Sequence, residues 1–240
     1  MSRHRIFCDA ALQSGLSLRL SEAAARHVQV LRLQPGSIIE LFNGRGESFT
    51  AQIELMGKHI VDITVVQALS FVANPSTYTH IVVGMPANER MDWLVEKATE
   101  LGVSRITPVM SQRTVLRLSG ERAVKRVEHW QGIAQSACSQ SGRNLLPQID
   151  VPLLLNDFLI STLTHEKSLQ ILLSLQAHAP AWRELWKFPP VHMTVLSGPE
   201  GGFTQEEEAA ALQHGFISAS LGPFVLRAET AALTVLAQLL

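Results

Sequence analysis

The chain has 240 residues, 46% of them hydrophobic and 17% charged, and its 20 basic and 21 acidic side chains leave a net charge of −1. That length suits one large or two modest domains, and the composition supports a packed core, which excludes a disordered tail. Near-neutrality excludes a globally polycationic nucleic-acid coat but leaves room for a local basic face.

The first ~70 residues read as a small β-rich module. Ser21–Val30 is expected to form a short helix capped by Ser21. Pro35-Gly36 marks a turn, and Ile38–Phe42 is an apolar strand. Asn43-Gly44-Arg45-Gly46 turns it back into Glu47–Leu55, where Phe49, Ala51, Ile53 and Leu55 share one face. Ile60–Val66 is a further strand.

Ala73-Asn74-Pro75-Ser76 reads as a linker, because the residue before proline avoids helical geometry. Beyond it strands and helices alternate. His80–Met85 is a strand, followed by a helix capped by Asn88 that carries Met91, Leu94, Val95, Ala98 and Leu101 on one stripe and stops at Gly102. Arg105–Met110 is a strand. The helix from about Glu121 to Ser139 is expected to face Val124, Val127, Ala134 and Cys138 inward. Leu169–Leu175 and Val191–Leu196 are continuous apolar runs, as in strands buried on both faces of a parallel sheet. Thr204-Gln205-Glu206-Glu207 is a capping box, Gly215 a helix stop, Ile217–Leu221 a strand, and about Ala228–Leu240 the last helix. The pattern predicts an α/β layer domain over 76–240 after a module covering 1–73. Its ligand is expected at the carboxyl ends of the strands, in the loops after Leu175, Leu196 and Leu221.

Two segments carry chemistry. Leu196-Ser197-Gly198-Pro199-Glu200-Gly201-Gly202-Phe203 lies between a buried strand and a capped helix, and its glycines let backbone groups approach a ligand closely. It is neither a phosphate loop nor a dinucleotide fingerprint; an ordinary strand-to-helix turn is the alternative. Leu221-Gly222-Pro223 runs irregularly to Arg227 at a helix start, where the helix dipole disfavours a cation. Arg227 is therefore either a substrate contact or a partner of Glu229. Seven basic residues against two acidic between Arg105 and Arg143 make a local net +5, suited to phosphate attraction or simply to a solvated face. Arg113 and Arg143, in strand-end and loop contexts, are the stronger RNA candidates, with Arg32 a third.

Together these segments closely resemble the RsmE family, ribosomal RNA uridine-N3 methyltransferases of the SPOUT superfamily. The match is carried by Gly198-Pro199-Glu200-Gly201-Gly202-Phe203, Leu221-Gly222-Pro223 and Leu226-Arg227-Ala228-Glu229-Thr230-Ala231-Ala232. Lys97–Val103, Pro108…Gln112-Arg113-Thr114, Gln140-Ser141-Gly142-Arg143 and His27…Gly36 extend it over nearly the whole chain. Ala228 stands where the family usually has threonine, and Ser139 where it often has glutamate.

The resemblance implies a PUA-like RNA-binding β-barrel followed by a SPOUT methyltransferase domain with a C-terminal trefoil knot. It also implies a homodimer acting on a uridine in small-subunit ribosomal RNA. S-adenosyl-L-methionine would be held by Leu175, Leu196, Gly198, Pro199, Glu200, Gly201, Leu221, Gly222 and Leu226, and RNA by Arg32, Arg113, Gln140 and Arg143. For catalysis Arg227 would stabilise negative charge on the base or bind a phosphate, with Glu200 or Glu229 as the base or as an orienting group. Ribose 2′-O methylation and a non-enzymatic RNA-binding adaptor are the competing readings.

Cys8 and Cys138 form no cysteine cluster and suit a reducing cytoplasm. The nine histidines lack zinc-site spacing, so no metal is expected; His27, His59, His80, His165, His178 and His192 read as surface or satisfied core residues. The N-terminus lacks the apolar core of a secretory signal, and no apolar run approaches the ~20 residues that span a bilayer. A soluble cytoplasmic protein without membrane contacts is expected.

Overall fold

The computed structural model describes residues 4–69, 76–86, 88–161, 168–176, 178–188 and 190–239. The chain divides into two compact units, residues 1–74 with 135–146, and residues 75–134 with 147–240. Most of the expected linker at 73–76, along with His165, lies outside the described residues.

In the first unit, β1 (Arg5–Phe7), β2 (Ser17–Arg19), α1 (Glu22–Val30), β3 (Ile38–Phe42), β4 (Ser48–Met56) and β5 (Val61–Ala68) follow in order. The sheet order is β1-β3-β4-β5-β2, with β1 parallel to β3 and the other pairs antiparallel. Ser21 caps α1, its side chain accepting from the Ala24 amide. Gly44 and Gly46 take positive φ in the β3–β4 turn, where Asn43 Oδ1 accepts from the Arg45 amide at 2.9 Å. Ile6, Val28, Ile39, Leu41, Ala51, Ile53 and Ile63 are buried together in the core. Leu55 departs from its expected inward position and is 51% exposed, because a register shift against β5 between Ile53 and Leu55 breaks the alternation.

In the second unit, β6 (Tyr78–Gly84), α2 (Asn88–Glu100), β7 (Arg105–Met110), α3 (Gly120–Ser141), β8 (Gln148–Ile149), β9 (Leu153–Leu154), α4 (Leu155–Ser161), β10 (Ser168–Leu173), β11 (His192–Ser197), α5 (Gln205–Gln213), β12 (Ile217–Ala219) and α6 (Ala228–Ala237) alternate. The last seven residues of α3 belong to the first unit. The sheet order is β12-β10-β11-β6-β7-β8, with β9 also on β7, and every pair is parallel. Helices α2 and α6 pack together, and α6 also packs on β6 and β11. Helix α4 packs against β7 and α5, and α5 against β10.

Helix α2 begins at Asn88, whose side chain, and with it the expected cap, lies outside the described residues. The stripe of Met91, Leu94, Val95 and Ala98 is fully buried, Leu101 is half-buried, and Gly102 takes φ +86° at the stop. In α3 the buried stripe is Ala123, Trp130, Ala134, Ala137 and Cys138. Val127 is half-buried and Val124 is 49% exposed, which corrects the inward placement expected for Val124. The indole of Trp130 fixes the helix rotation by donating to Asp92 Oδ1 at 2.9 Å. Among the described residues no helix is long and apolar enough to cross a membrane.

A candidate active-site cleft at the carboxyl ends of three strands

Strands β10, β11 and β12 end side by side, and their following loops enclose a cleft of about 530 Å³. The three loops anticipated from the alternation of strands and helices therefore meet. Its walls include Leu175, Gly198, Pro199, Glu200, Gly201, Leu221, Gly222, Leu226 and Arg227. Leu196 stays fully buried in β11 and does not line it.

Close backbone packing builds the central loop. A Cβ placed on Gly84, at the end of β6, would come within 2.3 Å of Pro199 Cδ and 2.4 Å of its nitrogen, so only glycine allows the 198–199 segment to cross there. Gly202 takes φ +67°, and the Gly202 amide donates to the Pro199 carbonyl at 2.8 Å. Thr204 then starts α5 with the expected capping box, reciprocated by Glu207. The other oxygen of the buried Glu207 carboxylate accepts from the Gln112 amide at 2.7 Å, which ties the loop after β7 to the helix. From that loop Arg113 donates to the carbonyls of Gly201 at 2.7 Å and Phe203 at 3.3 Å.

Arg227 is the N-cap residue of α6, with extended φ −64° and ψ 153°. Its exposed side chain lines the cleft and makes no ion pair among the described residues, so the alternative of a bond to Glu229 is not realised. Glu229 is buried, does not line the cleft, and leaves Oε2 without a hydrogen-bond partner. Glu200 is paired with Arg90 of α2 at 3.0 Å across the mouth. Arg90 escaped the sequence reading although it carries the signal that singled out Arg227, a cation in the first turn of a helix. Glu208, which also lines the cleft, accepts from the Ser174 hydroxyl at 3.3 Å and from Gln176. Leu175, Phe224 and Val225 are more than 70% exposed and give the cleft an apolar lip.

The RNA candidates are dispersed. Arg113 belongs to the cleft, while Arg32, Gln140 and Arg143 belong to the first unit. Arg32 and Gln140 are exposed, and Arg32 adopts φ +55°, the one non-glycine residue with positive φ among the described residues. Arg143 is half-buried, and burial pushes its guanidinium below the usual arginine range. Its carbonyl accepts from Arg5 at 3.0 Å. Arg105, counted in the basic stretch, pairs with Asp150 at 2.7 Å and so adds little free positive charge.

Residues 73–240 match the family model of the RNA methyltransferase domain, and residues 20–66 that of the RNA methyltransferase PUA domain. A Legionella pneumophila methyltransferase solved in complex with the cofactor SAM is 36% identical, with TM-score 0.93 over 100% of this chain and 97% of that one. The ribosomal RNA small subunit methyltransferase E of Neisseria gonorrhoeae, solved bound to S-adenosyl methionine, is 32% identical, with TM-score 0.91 over 99% and 96%. The protein of the same name from Rickettsia conorii is 30% identical over 99% of this chain and 95% of its own. With a methyltransferase model covering the whole cleft-bearing unit and relatives of one name aligned end to end, the chain belongs to the ribosomal RNA small subunit methyltransferase E family of RNA methyltransferases.

Proposed function

We propose that the cleft binds S-adenosylmethionine and that the protein methylates N3 of a uridine in small-subunit ribosomal RNA. The convergence of the loops after β10, β11 and β12 on one cleft carries this reading. The cleft suits such a molecule: glycine-lined backbone at Gly198 and Gly222 can hold an adenine edge, while Leu175, Leu221 and Leu226 offer cover for its faces. The family's solved members, described above with that molecule bound, support the same assignment.

S-adenosylmethionine supplies an electrophilic methyl group, so the chain's task is alignment and charge. Loss of the N3 proton leaves negative charge shared with the uracil carbonyls. Arg227, unpaired among the described residues and lining the cleft, is the group suited to stabilise it. Of the two carboxylates lining the cleft, Glu208 is engaged by Ser174 and Gln176, and Glu200, paired with Arg90, is the one we assign to take a proton or orient the base. Glu229 lies deeper and suits a supporting role. The first unit is read as the PUA-like RNA-binding domain, in which Arg32, Gln140 and Arg143 are the candidate contacts, and the second as the SPOUT catalytic domain. The separation of the successive strands β11 and β12 by β10 supports a chain crossing of the kind that a C-terminal trefoil knot needs. A cytoplasmic homodimer completes the proposal.

The test is incubation of the protein and S-adenosylmethionine with small ribosomal subunits, and separately with naked ribosomal RNA, from cells lacking the gene. Nucleoside mass spectrometry should find 3-methyluridine. A 2′-O-methylated nucleoside would replace this assignment with the ribose reading, and absence of S-adenosylmethionine binding by calorimetry would leave the adaptor.

A further inference from the structure

The opposite end of the parallel sheet holds a second cavity, of about 550 Å³, that the methyltransferase reading does not use. On one face of this sheet the carboxyl halves of the strands are apolar: Val82, Val109, Leu172 and Leu196 pack beneath Leu155, Phe158 and Phe216. Two residues earlier on each strand, and therefore on the same face, stand His80, Thr107, Gln170 and Thr194. Parallel strands covered on both sides are normally apolar throughout. Four polar residues on four adjacent strands, three of them less than 10% exposed, therefore form a built polar wall.

Among the described residues the wall carries no net charge. Arg105 is paired with Asp150, and Thr107 donates to the same carboxylate, so its oxygen accepts from Nε2–H of His80 at 2.6 Å. Burial, and secondarily the charge of Arg105, lowers the His80 pKa to about 4, which keeps the ring uncharged at neutral pH. Gln170, 5% exposed, leaves Oε1 buried with no hydrogen-bond partner. Aromatic surfaces complete the enclosure: Tyr78 lies against His192 with ring centroids 5.4 Å apart, and Phe158 meets His80 edge-on at 5.9 Å.

We propose that this cavity is a binding site for an uncharged nucleobase, held by Gln170 and Thr194 and stacked against its aromatic walls. Described lining residues without net charge disfavour free phosphate or a carboxylate. Its size suits a nucleoside, a glutamine amide can pair with a base edge, and the orphaned amide oxygen, which has almost no accessible surface as it stands, gains an N–H donor when the Gln170 side chain turns into the cavity. The base can come from a free nucleoside or from a strand of bound RNA. The site is independent of the cleft reading.

The test uses the full chain with isotope-labelled histidine, following the His80 ring signals by NMR. The four nucleosides and a mixed single-stranded tetranucleotide are titrated into wild type and Gln170→Leu. A saturable shift with at least one probe is expected in wild type, weakened about tenfold or more by the substitution. The variant should unfold at the same temperature or higher, since it removes an unsatisfied buried polar group. A shift with nucleosides assigns a free ligand, and one with the tetranucleotide alone assigns a base of RNA. No shift with any probe, or equal affinity in Gln170→Leu, overturns the site.

Discussion

At the carboxyl ends of β10, β11 and β12 the walls of the cleft are loops, built from glycine, proline and exposed leucines. At the amino ends of β10, β11, β6 and β7 the walls of the second cavity are strand side chains. Loops can bend the backbone toward a ligand without disturbing the ladder, so the cleft keeps an apolar sheet beneath it. A pocket recessed into the strands must place polar groups where the core would be, and each needs a partner. His80 and Thr107 have theirs, whereas Gln170 does not, at a cost of ~1–3 kcal/mol for such a group. One end of the sheet thus spends conformational freedom in its loops, and the other spends stability in its strands.

Substitutions should separate the two ends. The largest effect is expected at the cleft: Arg227→Ala should lower the single-turnover methylation rate by ~10²–10³-fold at saturating RNA and cofactor. An unchanged rate with weaker RNA binding would move Arg227 from catalysis to docking. At the other end the discriminating variable is pH. The His80 pKa of about 4 lies below that of an exposed histidine, so between about pH 6.5 and 4 the unfolded chain binds a proton that the folded one refuses. Its contribution, of about 3 kcal/mol, is present above that window and lost as pH falls through it. Urea unfolding at stepped pH should show this slope in wild type and a shallower one in His80→Gln; identical slopes would remove His80 from the account.

Gly84→Ala links the sheet to the cleft. The added Cβ would collide with the Pro199 ring and backbone, so a loss of ~1–3 kcal/mol is expected together with weaker S-adenosylmethionine binding. Unchanged binding by calorimetry would show that the 198–199 segment can shift without harm. The smallest effect is Thr204→Ala, which removes one half of the capping box and should cost ~1 kcal/mol in urea unfolding. Its methylation rate should remain close to wild type.

Several features were legible in the sequence for physical reasons. Periodicity places the α2 stripe because four apolar residues at helical spacing have one way to be buried together. The capping box and Gly215, which takes φ +88°, bound α5 through local hydrogen bonding and backbone sterics alone. The meeting of three loops follows from parallel strands ending on the same side. Tertiary contacts account for what was missed. Val124 looks inward by composition, but Trp130 and its bond to Asp92 set the rotation of α3. Leu55 loses its place to a register shift that no pattern announces. The pairings of Arg90 with Glu200 and of Arg105 with Asp150 join residues far apart in the chain. The polar wall was invisible because single polar residues in apolar strand runs look like noise until the strands are aligned side by side.

The first unit also recruits residues 135–146, through bonds from Arg5 to the Arg143 carbonyl and Asn144 Oδ1, from the Gly46 amide to the Asn144 carbonyl, and from the Leu146 amide to the Gly44 carbonyl. During translation, the N-terminal segment therefore emerges long before its closing piece has been made. At ~5–20 residues per second the wait is several seconds. Over that interval the β3–β4 hairpin lacks the strap that finishes it, and the Gly46 amide and Gly44 carbonyl have only water as partners until residue 146 has left the ribosome.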